Sequence, residues 1–328
     1  MHRNRWITGI CLLVLLAVHS AALAEVAPVA GTRTAHNVVI RDPYAYATVG
    51  DGIQIIEIRR QELVRTISAA AHDVSIADGL LFAVSGSGVL SVFSLQTPDD
   101  PQLIPHNESI QARTFTGVSA AGGIVVVSGG QSPSTVLTYD ASGRLSRNNP
   151  ASLGLQVVGR PDVLLAQVDT RLMAFISTDF DAGSFGITAV DLTDGTQRVV
   201  QFEGRGFGNT LTNAFFPANF PIESALLGTQ LYTTNFNTNS IVVSDATGQS
   251  NGLRSIPVPF QPRSIAAMDQ RLYVVGDRAS VTVIDLGDSE RQEQMPLPAA
   301  AQPSGVDVSA DHIVVADRGL GVLVLDRP

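Results

Sequence analysis

The sequence has no lysine: all 21 of its basic residues are arginine. Schiff-base, Walker-type and Ser-Lys chemistry each need an amine on a flexible stem, so all three are excluded. Cysteine is almost as scarce, with Cys11 the single example, which rules out a disulfide scaffold. Charged residues make up only 16% of the 328 positions against 45% hydrophobic, the reverse of a disordered composition. There is no Gly-X-Y period, so a collagen-like chain is excluded as well. Thirty acids against 21 bases give a net charge of -9, which argues against a protein that tracks nucleic-acid phosphates.

The first 24 residues differ from the rest. Arg3 and Arg5 form a basic start, Ile7 to Val18 is largely apolar, and Ala22-Leu23-Ala24 supplies the small-x-small pattern that signal peptidase needs. The apolar run is short for a membrane span of about 20 residues. The expectation is a signal peptide over 1–24, cleaved after Ala24; the alternative is an uncleaved N-terminal anchor. Cys11 is preceded by Ile10 where a lipobox takes a small residue, so a lipid anchor is not expected. Cleavage leaves residues 25–328 as one domain without cysteine, with 30 acids against 19 arginines and a charge of -11. Thiol nucleophiles, CxxC redox pairs and thiolate metal sites are then absent, which suits an oxidising compartment. The chain is expected to be periplasmic if its source is Gram-negative and secreted otherwise, with no membrane insertion after cleavage.

Within 25–328 a short apolar strand ending in an acid recurs: Ile55-Ile56-Glu57, Thr138-Tyr139-Asp140, Ala189-Val190-Asp191, Val243-Ser244-Asp245, Val283-Ile284-Asp285 and Val324-Leu325-Asp326. Val92-Phe93-Ser94 is a further copy with Ser in the acid's place. The mean spacing is about 45 residues, the length of a four-stranded propeller blade. Each marker follows an alternating strand, a turn such as Ala77-Asp78-Gly79, and a second apolar strand, with almost no helical periodicity. The strand-ending acids are expected to bind nearby backbone N–H groups and fix the next turn, rather than to form a catalytic ring. The last unit holds three strands, Gly305 to Ala310, His312 to Ala316 and Leu320 to Asp326, and Val26 to Thr34 belongs to no complete blade. The expected fold is therefore all-β: a seven-bladed propeller of four-stranded antiparallel blades, closed by the N-terminal strand of the mature chain. The third and fourth units are irregular, which leaves counts of six or eight open.

Tyr44-Ala45-Tyr46-Ala47 followed by Asp51-Gly52-Ile53-Gln54-Ile55-Ile56-Glu57-Ile58 resembles the LVIVD repeat of exported bacterial β-propellers. Leu80 to Leu95 with Asp99-Asp100-Pro101, and Val306 to Asp326, are similar; the other blades resemble the wider YVTN-type group. The resemblance implies a propeller at the bacterial surface or in the periplasm, and it implies no active site.

Candidate site residues lie where innermost strands begin. His36 in Ala35-His36-Asn37-Val38 and His72 in Ala71-His72-Asp73-Val74 occupy equivalent positions in adjacent blades. They would share one rim of the central channel, as a ligand site or as histidines hydrogen-bonded at a blade junction. Imidazoles take Zn, Cu, Fe or Ni, so a divalent metal is the ligand of that kind to consider here; no other cofactor is expected. Gln261-Pro262-Arg263-Ser264-Ile265 aligns with Gln302-Pro303-Ser304-Gly305-Val306, and Arg160-Pro161-Asp162-Val163 resembles both. Asp162, Arg263 and Glu223 thus join the same rim, where Arg263 either clamps an anion or pairs with a carboxylate between blades. Gly204 to Ile222 lacks a strand pattern and carries Phe207, Phe215, Phe216 and Phe220. These aromatics would either contact a protein or carbohydrate or pack on the blade face.

Three further patterns fail on context. Asp179-Phe180-Asp181 lacks the later ligands of a calcium loop, and Gly248-Gln249-Ser250-Asn251-Gly252 lacks the helix that a nucleophile elbow needs. Asn107-Glu108-Ser109 is a glycosylation sequon by pattern only. The reading that results is an exported non-catalytic propeller that binds a protein or glycan through one face or the blade 4–5 loop. The alternative is a metal-dependent, lactonase-like hydrolase with its site at the channel mouth. A docking subunit for redox partners is a third class, without haem of its own because no CxxCH occurs.

Overall fold

Each repeat unit folds into a meander because its turns are built for tight reversal. Asp78-Gly79, Gly122-Gly123 and Asp269-Gln270 have both central residues at positive φ, the backbone of the two-residue turns that match the twist of adjacent strands. A computed structural model of the chain describes residues 26–105, 115–129, 132–146, 162–180, 184–193, 197–201, 223–236, 238–248 and 254–328. The first blade comprises β1 (Val38–Arg41), β2 (Tyr44–Thr48), β3 (Ile53–Glu57) and β4 (Glu62–Ile67). The second comprises β5 (Asp73–Ala77), β6 (Leu80–Val84), β7 (Leu90–Ser94) and β8 (Gln102–Leu103). The third is β9 (Gly117–Ala121), β10 (Ile124–Gly129), β11 (Ser132–Tyr139) and β12 (Leu145–Ser146). The fourth is β13 (Val163–Val168), β14 (Arg171–Phe180), β15 (Ser184–Asp191) and β16 (Gln197–Gln201). The fifth is β17 (Ser224–Leu227), β18 (Gln230–Asn235), β19 (Ser240–Asp245) and β20 (Arg254–Pro257). The sixth is β21 (Pro262–Met268), β22 (Arg271–Gly276), β23 (Ser280–Asp285) and β24 (Arg291–Pro296), and the seventh has β25 (Pro303–Val308), β26 (His312–Asp317) and β27 (Gly321–Asp326).

Within every blade the strands pair antiparallel in chain order, and the innermost strands β1, β5, β9, β13, β17, β21 and β25 touch in sequence around a closed ring. The protein is a seven-bladed β-propeller. The N-terminal segment supplies the missing outer strand: Pro28 pairs antiparallel with Leu323, and the Val29 N–H donates to the Val322 carbonyl at 2.9 Å. The Val322 N–H returns a bond to Thr32 Oγ1 at 3.1 Å. An open edge on β27 is thereby covered, as closure of a propeller requires.

The core follows from the ring. Each of the seven buried apolar clusters sits between two neighbouring blades, one cluster to each junction. A middle strand is therefore covered on both faces, so β6 (Leu-Leu-Phe-Ala-Val) is buried throughout instead of alternating. Aromatics amount to only 6% of the chain, and the junctions are filled mainly by Val, Ile, Leu and Ala, with Tyr46, Phe82, Phe175 and Tyr273 among the most deeply buried rings. The strand-ending acids close turns on the lower face, where the third strands end. Asp140 Oδ1 accepts the Ser142 and Arg144 N–H groups, Asp191 that of Thr193, Asp245 that of Thr247 and Asp285 those of Gly287 and Asp288. In the copy that ends in serine, Ser94 Oγ accepts the Gln96 N–H.

Candidate functional site

The upper face is where the innermost strands begin, and it carries both histidines. His36 and His72 extend the inner ladders by one step, their N–H groups donating to the Thr48 and Val84 carbonyls at 2.9 and 2.7 Å. Their rings lie 6.4 Å apart, tilted by 60°. His36 is half-buried and His72 exposed. Each leans toward a glycine of the neighbouring turn: a Cβ on Gly86 would come within 2.7 Å of His72 Nε2, whereas one on Gly50 would stay 3.9 Å from His36 Nε2. Among the described residues no three His, Cys, Asp or Glu side chains are grouped to hold a metal ion. The two imidazoles alone fall short of a closed site.

Below this rim, polar side chains of the innermost strands bridge every blade junction. From blade 1 to blade 2, Asn37 Nδ2 donates to Asp73 Oδ1. The Val118 N–H of blade 3 donates to Asp73 Oδ2 at 2.7 Å, and that of Ala120 to Ser75 Oγ at 3.1 Å. Leu165 of blade 4 donates to Ser119 Oγ at 2.9 Å. Asp162 accepts the Ser224 N–H of blade 5, and Glu223 accepts the Ile265 N–H and the Ser264 hydroxyl of blade 6. Ser264 Oγ in turn accepts the Val306 N–H of blade 7 at 3.0 Å. Asp307 Oδ2 takes the Ile40 N–H of blade 1 at 2.7 Å, which completes the circle. From blade 2 onward the sense is uniform: a side chain of one blade accepts a backbone N–H of the next. Inner strands of different blades do not pair as a sheet, and these side chains stand in for the missing ladder.

The belt has electrostatic consequences. Asp73 is buried and Asp162, Glu223 and Asp307 are half-buried along the channel, and desolvation there raises all four above the ordinary carboxylate range. Asp73 and Asp307 are each pushed up to about 6 and Glu223 to about 8, in every case by burial first and against the opposing effect of the hydrogen bonds they accept. Asp162 is raised well above its usual value by burial and then by the nearby charges of Asp73 and Glu223.

Two of the residues read from the sequence, Asp162 and Glu223, thus sit at the channel as acceptors between blades. Arg263 is half-buried on β21, one residue before the Ser264 that bridges blades 5, 6 and 7. The alignment of Gln261-Pro262-Arg263 with Gln302-Pro303-Ser304 holds in detail. Both strands carry an irregularity after the proline, and Gln261 N–H to Asp277 is matched by Gln302 N–H to Asp317. Phe207, Phe215, Phe216 and Phe220 lie outside the described residues, as do residues 1–24, His106, Asn107 and Ser250. Sequence reasoning missed Asn37, Asp73, Ser119, Ser264 and Asp307. The signal for Asp307 was an acid inside the otherwise apolar alternation Gly305-Val306-Asp307-Val308.

No protein-family model and no curated protein matches the chain. Solved structures do. The chain is similar to virginiamycin B lyase from Staphylococcus aureus, with a TM-score of 0.64 and 12% identity, over 93% of this chain and 98% of that one. It is similar to the computationally designed Ika8 protein, with a TM-score of 0.63, 11% identity and coverage of 92% and 99%. PorZ of Porphyromonas gingivalis, a bacterial surface component of the type-IX secretion system, matches with a TM-score of 0.57 and 13% identity over 92% of this chain and 37% of that one. These likenesses define the class of protein, a β-propeller, and go no further than the fold.

Proposed function

We propose that this chain is an exported propeller, freed of residues 1–24, that binds a protein or carbohydrate partner through its upper face without catalysing a reaction. The observation that carries this reading is the belt itself: Asp73, Asp162, Glu223, Ser264 and Asp307 hold blades together and are already occupied by hydrogen-bond donors of the neighbouring blade. Residues that a channel-mouth enzyme would use for acid–base work serve here as scaffold. The upper face also leaves open to solvent a rim that carries His72 and the half-buried His36. The 204–222 connection between β16 and β17, with its four Phe, is the second contributor on sequence grounds. An envelope setting like that of the surface component PorZ agrees with the signal-like start of the chain.

The test places a photocrosslinking amino acid at position 72 on the upper face and, separately, at position 326 on the lower face, in cells that express the whole chain. A discrete adduct from position 72 alone is expected, in the exported fraction, with a mature N-terminus at Glu25. Turnover of a substrate that His36→Ala and His72→Ala abolish without unfolding the protein would overturn the reading. So would a protein retained in the cytoplasm with residues 1–24 intact.

The channel-mouth hydrolase draws on the His36–His72 pair alone. Two nitrogens do not fit a hydrolytic metal held by three protein ligands.

A further inference from the structure

We propose that the four axial carboxyls form a proton-sensitive clasp at the blade junctions, which holds the ring tightest when they are protonated and loosens it as they ionise. The argument starts from placement. Asp73, Asp162, Glu223 and Asp307 come from blades 2, 4, 5 and 7, yet they face one channel. Asp162 feels the charge of both Asp73 and Glu223, and Glu223 feels Asp73 and Asp307. Neighbouring them on the other inner strands are Asn37 on the approach to β1, Ser119 on β9 and Ser264 on β21, with the half-buried Arg263 one residue before Ser264. His36 and His72 stand at the rim. Among the described residues of the inner strands the cations are Arg263 on β21 and Arg41 at the end of β1, two against four carboxyls, so full ionisation would leave an excess of like charge across the axis.

Each of these carboxyls also tethers a neighbouring blade, so repulsion among them acts directly on the junctions that close the ring. The direction follows from proton balance. An unfolded carboxyl is ionised above about pH 4. The folded values of about 6 for Asp73 and Asp307 and about 8 for Glu223 mean that the native ring takes up protons the unfolded chain has lost. That contribution to stability is fully present below the unfolded value and disappears as pH rises through the folded values. Turn acids such as Asp140, which is lowered by its hydrogen bonds from Ser142 and Arg144, act in the opposite direction and only at more acid pH. The window from about pH 5.5 to 8.5 lies above those turn acids, and within it Glu223→Gln separates the clasp from other groups that titrate there, imidazoles among them. A protein outside the cytoplasmic membrane meets such variation, and the face that carries the histidines would respond with it.

The test is thermal unfolding of the purified protein at about pH 5.5, 7 and 8.5, for the parent, for Glu223→Gln and for the exterior control Glu293→Gln. The parent midpoint is expected to fall by roughly 5 °C or more over this range. Glu223→Gln keeps an acceptor for the Ile265 N–H, shows a shallower slope than the parent, and melts above the parent at the alkaline end. Glu293→Gln keeps the full slope. A parent midpoint that is flat or rises with pH, or a Glu223→Gln variant with an unchanged slope, would overturn the proposal. Should Glu223→Gln not fold, the infrared carboxyl band of the parent decides: loss of protonated carboxyl signal between about pH 5.5 and 8.5 supports the clasp, and its absence throughout refutes it.

Discussion

Replacing Asp73 by alanine would cut the belt at its most heavily used acceptor. Asp73 is 8% exposed and accepts from Asn37 Nδ2, the Val74 N–H and the Val118 N–H. Val74 and Val118 are themselves buried, and alanine offers them nothing in exchange. The two donors that cross blade junctions, from Asn37 and Val118, would be left without acceptors. A buried donor stripped of its partner costs about 1–3 kcal/mol. Removing the carboxylate also removes its own desolvation, which offsets part of that loss, so the net expectation is about 2–4 kcal/mol. For a protein of this size that corresponds to a melting temperature lower by roughly 3–6 °C. Urea unfolding at neutral pH would measure it, and a double-mutant cycle with Asn37→Ala should show a coupling of about 0.5–3 kcal/mol, since the two side chains share one bond. A loss under about 0.5 kcal/mol, with additive single effects, would refute the claim that the belt bears on stability.

Three further changes probe other parts of the scaffold. Gly276→Ala places a Cβ 2.0 Å from the Gln261 carbonyl oxygen and 2.7 Å from the Phe260 ring, so a loss of about 3 kcal/mol is expected in denaturant melts, and a neutral result would contradict the close strand approach. Val29→Asp puts a charge among Val314, Val322 and Val324 at the closing strand. It should destabilise by about 3 kcal/mol or more and expose the β27 edge, seen as faster proteolysis after residue 320. Arg327→Ala removes a bond to the Tyr273 hydroxyl of blade 6 and bonds to the Ser309 and Ala310 carbonyls in the β25–β26 turn of its own blade, with an expected cost of about 1–2 kcal/mol by thermal melting. The partner Asp269 is largely exposed, so added salt should change that cost little.

The architecture was legible because its cause is local and repeated. Asp or Ser at the end of a third strand caps the turn that follows within four residues, so the marker recurs wherever a blade does. The orphan segment before His36 and the three-strand final unit together implied the closing strand, which Val29 and Val322 now show. The irregular third and fourth units left the blade count open. Blade 4 resolves into the long hairpin of β14 and β15, whose ten and eight residues stretch the spacing without adding a blade. Adjacent innermost strands also made the His36–His72 pairing readable from position alone.

The belt was less accessible. Asp73 and Val118 are 45 residues apart and Asp307 and Ile40 are 267 apart, and the acceptor changes from Asp to Ser to Glu between blades. No single residue type fills all of these positions, because any side chain with a reachable oxygen can take the neighbour's N–H. A polar residue early in each inner strand was visible, and its partner was not.

The central claim is that backbone amides bonded across blades are as much a part of the fold as those within them. Native-state hydrogen exchange at Ile40, Val118, Leu165 and Val306 tests it most directly, because each of these N–H groups has a side-chain oxygen of the neighbouring blade as its acceptor. Protection equal to that of mid-strand amides in β6 and β22, lost together on global unfolding, is the expected result. Exchange of these four amides at rates typical of exposed turns, while β6 and β22 stay protected, would contradict it.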